Sequence, residues 1–215
     1  MKKISDEELK KIPIQDNGEE LVDVRKVCPG IKFRLGEYIK KEGARAVAES
    51  CSVREAVAEK LKIAQSLLPK GHRLILRCGY RSLEIQKKKY EQVYNRLKKQ
   101  NPSLSEEKLK DQVSECVAPV DELPPHSTGG AVDVSIVSPD GKMLDMGGRL
   151  GDFNDETPTD SDKISTHAKK NRALLVGVMT KAGFVNYPAE WWHWSYGDRY
   201  WAAVTGEEHS IYDGI

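Results

Sequence analysis

The stretch FVNYPAEWWHWSY, Phe184–Tyr196, contains two short β-type pieces, Phe184–Tyr187 and Trp192–Tyr196, bent about Pro188. The residues between them are too few for the crossover of a dozen or more residues that a parallel pair needs, so the two pieces pair antiparallel. Working upstream, AVDVSIV at Ala131–Val137 alternates Val132, Val134 and Ile136 with Asp133 and Ser135, the mark of a strand with two different faces. RLILRC at Arg73–Cys78 is a further compact β run, closed by Gly79-Tyr80-Arg81. Helical periods lie between these pieces. Ile85, Lys89, Val93 and Leu97 recur four apart, Ser105–Val117 is a second helical segment, and Leu174, Leu175, Val178 and Ala182 form a stripe that Gly183 stops. Earlier, Ser52 and Glu55 have capping-box spacing and open a helix through Val57, Leu61, Ala64 and Leu68 to Pro69. Helices interleaved with closely spaced late strands predict an α+β fold, a single domain over residues 1–215 with a mainly antiparallel central sheet flanked by helices and residues 1–20 as an N-terminal arm.

The chain has 34 basic and 33 acidic side chains, a net charge of +1, which excludes the cationic excess of a nucleic-acid binder. The lysines at 87–89, 98 and 99 are interspersed with Glu84 and Glu91 and read as a solvated helix face. No apolar run approaches the ~18 residues of a membrane span, and no secretory signal is legible, so a cytoplasmic chain is expected. Cys28, Cys51, Cys78 and Cys116 form no CxxC pair and read as idle or buried thiols. A homodimer is left open by the sequence.

Chemistry concentrates in two stretches, PHSTGGAVD (Pro125–Asp133) and EWWHW (Glu190–Trp194), each offering one histidine and one carboxylate. A catalytic zinc takes three His/Asp/Glu ligands and keeps a fourth position for water. His126, Asp133 and His193 meet that requirement, with Glu190 left over as a base. Extended chain would hold His126 about 23 Å from Asp133 at ~3.3 Å per residue, so Gly129 and Gly130 must turn the backbone back.

HSTGGAVD and EWWHW together resemble the HxxGxAxD and ExxH signatures of the VanX-like D-alanyl-D-alanine dipeptidases, relatives of the zinc DD-carboxypeptidases and the hedgehog signalling domain. The similarity runs from Gly79–Arg81 through GRLGDFNDE (Gly148–Glu156) to the C-terminal EWWHWSYGDRYWA. It implies a hedgehog/DD-peptidase-like fold, one zinc per chain on His126, Asp133 and His193, Glu190 as general base, Arg81 polarising the substrate carbonyl, and Asp152 receiving the substrate ammonium. Arg77, Arg149 and Arg172 are rivals to Arg81 and read as structural. One position departs from the pattern: Pro124 stands where a serine is usual, two residues before the first histidine.

The implied activity is hydrolysis of D-Ala-D-Ala or a similarly small dipeptide, serving either dipeptide recycling from peptidoglycan or glycopeptide resistance. Two other readings are carried forward: a zinc DD-carboxypeptidase or endopeptidase on peptidoglycan peptides, and a non-catalytic zinc module that binds peptide. Retention of both Glu190 and Arg81 favours the enzyme, because binding alone requires ligands but no base.

Overall fold

The computed structural model describes residues 4–215; residues 1–3 of the expected arm lie outside that range. The strands, in chain order, are β1 (Leu21–Asp23), β2 (Lys32–Phe33), β3 (Ser52–Arg54), β4 (Arg73–Cys78), β5 (Ala131–Val137), β6 (Val185–Asn186) and β7 (His193–Ser195). The helices are α1 (Asp6–Lys10), α2 (Val24–Val27), α3 (Glu37–Lys41), α4 (Ala44–Ser50), α5 (Glu55–Leu67), α6 (Leu83–Gln100), α7 (Glu106–Cys116), α8 (Thr166–Lys181) and α9 (Arg199–Thr205).

β4 and β5 lie inside a five-stranded sheet ordered β2-β4-β5-β7-β6, in which β2 joins β4 in parallel and every other neighbour pair is antiparallel. β1 and β3 form a separate two-stranded ribbon. Alternation along β4 and β5 sends Leu74, Leu76, Val132, Val134 and Ile136 into the main core, against Val57, Leu61 and Ala64 of α5 and Leu175, Val178 and Met179 of α8. Each such aliphatic side chain contributes about 1.5–3 kcal/mol by leaving water. The opposite face of β5 carries Asp133 and Ser135, and it too is buried. The two faces differ in chemistry, as the alternation predicts, but neither is wet.

The helix through Leu61 starts later than its sequence signal, and the capping box at Ser52 is corrected. Ser52 lies in β3, opposite Asp23 of β1, and its hydroxyl donates to Ala48 O at 3.0 Å. Arg54 occupies the N-cap of α5 without a side-chain cap. The backbone of residues 50–52 serves the sheet side instead, accepting hydrogen bonds from Gly79 and Tyr80. Tertiary pairing therefore overrides a local signal of about 1 kcal/mol.

The end of α8 matches its signal closely. Gly183 is left-handed at φ +92°, its N–H bonds Thr180 O, and Phe184 N–H reaches back to Met179 O. This double closure turns the chain directly into β6 and so fixes where the last hairpin begins.

Arg54, 4% exposed, ties the periphery to the site. Its guanidinium and Nε donate to Thr128 O (2.8 Å), Asp16 (2.9 Å), Asp213 O (3.1 Å) and Glu19 O, beneath the ring of Tyr212. Arg54→Met keeps the apolar volume but strands these acceptors, and should lower unfolding free energy by at least ~2 kcal/mol in urea denaturation. An unchanged urea midpoint would mean that water replaces the guanidinium without loss.

Candidate active site

His126 sits on a 3₁₀ turn, Pro125–Thr128, that ends in left-handed Gly129 at φ +74°. A β-carbon on the next residue, Gly130, would lie 2.4 Å from Tyr196 O, in the backbone of the segment that follows β7. The two glycines thus act differently: Gly129 permits the turn, and Gly130 permits β5 to lie against its neighbour. The turn docks on the end of β4, where Arg81 N–H donates to His126 O (3.1 Å) and Ser127 Oγ donates to Arg81 O (2.8 Å).

His193 faces Asp133 across the β5–β7 register. Asp133 Oδ1 lies 3.3 Å from His126 Nε2 and 3.2 Å from His193 Nδ1, and the two imidazoles meet edge to face with centroids 4.9 Å apart. The Nδ1–H of His126 is directed at Gly79 O, 2.8 Å away, which leaves Nε2 as the nitrogen that faces Asp133. A backbone carbonyl fixing the tautomer of a ligand histidine in this way is the usual support of a metal site. Glu190 reaches the same point from the β6–β7 turn; its carboxylate, that of Asp133 and His193 all have donor atoms within 4.8 Å of one another.

The electrostatics follow from burial. Asp133, 6% exposed, would be raised by desolvation, but the charges and hydrogen bonds of His126 and His193 hold it well below the carboxylate range. Burial opposes the His126 cation, yet Asp133 overrides it and brings that pKa up to about 9. Glu190 moves the other way: burial raises it, and the Asp133 charge adds to the rise against the opposing pull of His193 and Lys89. Two neighbouring carboxylates with divergent affinities for protons suit one to ligation and the other to proton transfer.

Arg81 is 3% exposed and held on both terminal nitrogens, by Gln86 Oε1 at 2.8 Å and by Cys78 Sγ at 3.3 Å, while its Nε is buried with no partner. Asp133 Oδ2 lies 4.0 Å away. Arg81, Gln86, His126, Asp133, Glu190 and His193 line a cavity of about 440 Å³ together with Tyr187 and Lys89, within the size range of small-molecule sites.

The geometry brings His126, Asp133, His193, Glu190 and Arg81 together and leaves Asp152 apart. Asp152 is exposed and lines a different cavity, beside Arg77 and Trp191. Left-handed Gly147 and Gly151, at φ +80° and +89°, flank the loop segment that carries it there. Of the rival arginines, Arg172 is structural: its guanidinium binds Met146 O (2.7 Å) and Glu156 O (2.5 Å).

Three site residues escaped the sequence reading. Cys78, read as idle, sits within 4.8 Å of His126 and Asp133 donor atoms, and Arg81 and His126 bring its thiol down to about 6 against burial. Lys89, read on a solvated helix face, lines the cavity, where burial and Arg81 lower its pKa. Gln86 is 1% exposed. The available signal was position: Cys78 ends β4 three residues before Arg81, and Gln86 and Lys89 follow within the first two turns of α6.

A protein-family profile described as D-ala-D-ala dipeptidase, Peptidase_M15, matches residues 17–210. The chain belongs to this family. A D-alanyl-D-alanine dipeptidase of Synechocystis sp. is 34% identical over 103 residues, 43% of this chain and 42% of that relative. One from Escherichia coli is 35% identical over 68 residues, 32% of this chain and 35% of the relative. The matched stretches thus span less than half of either relative. A solved vancomycin-resistance D,D-pentapeptidase VanY in complex with zinc is 16% identical, covers 74% of this chain and 82% of its own, and has a TM-score of 0.47. No helix among the described residues is long and apolar enough to cross a membrane.

The role of Gly130 gives a direct test of how this member of the dipeptidase family holds its site. Gly130→Ala should cost at least ~2 kcal/mol by forcing β5 from Tyr196, whereas Gly141→Ala, with open space around its left-handed backbone, should cost only about 1 kcal/mol. Chemical denaturation of both variants checks the contrast, and a loss at Gly130 no larger than that at Gly141 would mean that the close approach to Tyr196 is relieved at little cost.

Proposed function

We propose that the protein hydrolyses D-alanyl-D-alanine to two molecules of D-alanine, using one zinc ion held by His126, Asp133 and His193. The observation that carries this reading is the convergence of two imidazoles and a carboxylate on one buried point, with Glu190 and Arg81 directed into the same cavity. The donor set fits zinc in number and chemistry, and the Gly79 carbonyl already selects the His126 tautomer that ligation requires. Zinc at such a site supplies Lewis acidity, lowering the pKa of water toward ~7. Family membership and the dipeptidase relatives support the substrate.

Glu190 accepts the proton of the attacking water and returns it to the amine that leaves when the C–N bond breaks. Its raised proton affinity suits both halves of that transfer. Arg81 is already fixed by Gln86 and Cys78, so its guanidinium stands ready to stabilise the carbonyl oxygen as negative charge grows there. A preorganised donor of this kind is worth ~10²–10³ in rate. Asp152 has no part in this proposal.

Hydrolysis of D-Ala-D-Ala by the purified protein, abolished by a chelator and restored by zinc, tests the reading. Glu190→Gln should retain stoichiometric zinc while kcat falls by at least ~10²; near-normal turnover would move the proton to another group. Because Glu190 must be ionised to act and its pKa is raised, the acid limb of kcat/KM should lie above the ordinary carboxylate range of ~4.3, and activity should fall as pH drops through it. A limb at or below that value would remove Glu190 from the base role. N-acetyl-D-Ala-D-Ala separates this reading from a DD-carboxypeptidase, which would cleave the acylated form as well as the free dipeptide.

A further inference from the structure

The cavity that holds His126, Glu190 and His193 is also lined by Ile4, Ser5, Leu9 and Lys10. These residues belong to α1 and its approach, upstream of the stretch 17–210 that matches the family profile, and the hydrolysis proposed above gives them no role. A helix of five residues cannot hold itself together in water. Its position beside the site therefore depends on its cap and on its neighbours.

At its start, Ser5 and Glu8 form a reciprocal capping box: Glu8 N–H donates to Ser5 Oγ at 3.3 Å, and Ser5 N–H donates to Glu8 Oε2 at 2.9 Å. Ile4 and Leu9, both half-buried, occupy the two positions of a hydrophobic staple around that cap. The apolar side chains of this turn are thus among those that line the cavity. At the other end, Lys10 Nζ lies 3.0 Å from Glu122 Oε1, and Glu122 lines the same cavity from the short 3₁₀ turn Val120–Glu122. That ion pair is partly exposed and contributes little by itself. The firmer hold follows directly after it, where Arg199 Nε donates to Ile12 O at 3.0 Å, Ser210 N–H to Pro13 O at 3.0 Å, and Gln15 N–H to the fully buried Ser210 O at 2.9 Å.

This placement bears on substrate length. The reacting carbonyl must lie at the metal ligands and Arg81, with the leaving nitrogen in reach of Glu190, and a dipeptide has one residue on either side of that bond. An acyl group or a third residue would continue past the rest of the lining, much of which is supplied by α1 and residues 116–125. Ile4 and Leu9 offer an added peptide group no hydrogen bond in return for its water. We propose that α1 is a wall of the substrate cavity that restricts hydrolysis to free dipeptides, with Ile4 and Leu9 as its specificity-determining residues. This role rests on the dipeptidase reading above.

The test compares the zinc-loaded full chain with two variants, one lacking residues 1–11 and one carrying Ile4→Ala and Leu9→Ala, which keeps every anchor from Ile12 onward. kcat/KM is measured for D-Ala-D-Ala, for N-acetyl-D-Ala-D-Ala and for D-Ala-D-Ala N-methylamide. The ratio of an extended substrate to the free dipeptide should rise at least ~10-fold in the variants, the scale on which a pocket discriminates by a carbon or two. A rise with the acetyl substrate places α1 at the amine end of the dipeptide, and a rise with the methylamide places it at the carboxylate end. Unchanged ratios for both substrates in both variants overturn the proposal. Cys116 adds a readout that needs no turnover: it lines the same cavity and is half-buried, whereas Cys28, Cys51 and Cys78 are buried. N-ethylmaleimide should label Cys116 at least ~10-fold faster once residues 1–11 are gone, with the other three thiols still protected. Reaction of all four thiols would mean that the deletion has unfolded, and the double variant then decides. If the wild type leaves D-Ala-D-Ala intact, the dipeptidase reading fails, and the labelling rate alone judges the wall; an unchanged rate would remove α1 from that role.

Discussion

A carboxylate with almost no access to water stands in the middle of the sheet, and the rest of the site answers to it. An unpaired ion at that depth would cost several kcal/mol and would take up a proton instead. Asp133 stays ionised because His126, His193 and Arg81 surround it at 3.3, 3.2 and 4.0 Å. Each of those partners is in turn held by something outside the cluster: His126 by the Gly79 carbonyl, Arg81 by Gln86 and Cys78, His193 by the β5–β7 register. The arrangement converts a costly burial into orientation, which is what ligation and transition-state stabilisation both require.

The sheet and its main helices were legible because their signals are periodic and their register is tied to burial. Arg73–Cys78 and Ala131–Val137 coincide with β4 and β5, and the stripe ending at Gly183 coincides with α8. Slipping β5 by one residue would turn its valines onto the polar face and drive Asp133 and Ser135 into the apolar core, so the pattern had one solution. At the site, the ligand candidates could be read because two imidazoles and two carboxylates occur at short spacing within glycine- and tryptophan-rich surroundings. Cys78 could not be read, since a lone cysteine looks alike whether it fills a core or supports an arginine. Lys89 was hidden by its neighbours: Lys87 is exposed and Lys88 pairs with Glu42 and Glu84, so the run resembles a solvated face.

Ser52 has the spacing of a cap but lies in β3. It is a local signal whose meaning depends on where distant chain passes, here β1 and the Gly79–Tyr80 turn. Where the partners are close in sequence, as in the Schellman closure of α8, the local reading holds.

The pairing of Asp133 with His193 spans sixty positions along the chain, and this bears on the order in which the molecule assembles. His126 and Asp133 can approach through their own turn, a short loop closure that forms early. His193 arrives only after the segment containing α8 has been threaded past and the last hairpin has docked on β5, a contact whose entropic cost is met late on the path to the native state. Until then Asp133 lacks one of the groups that compensate its charge. Partly folded chains therefore carry an incomplete donor set, and the zinc site proposed above is complete only once β7 has docked on β5.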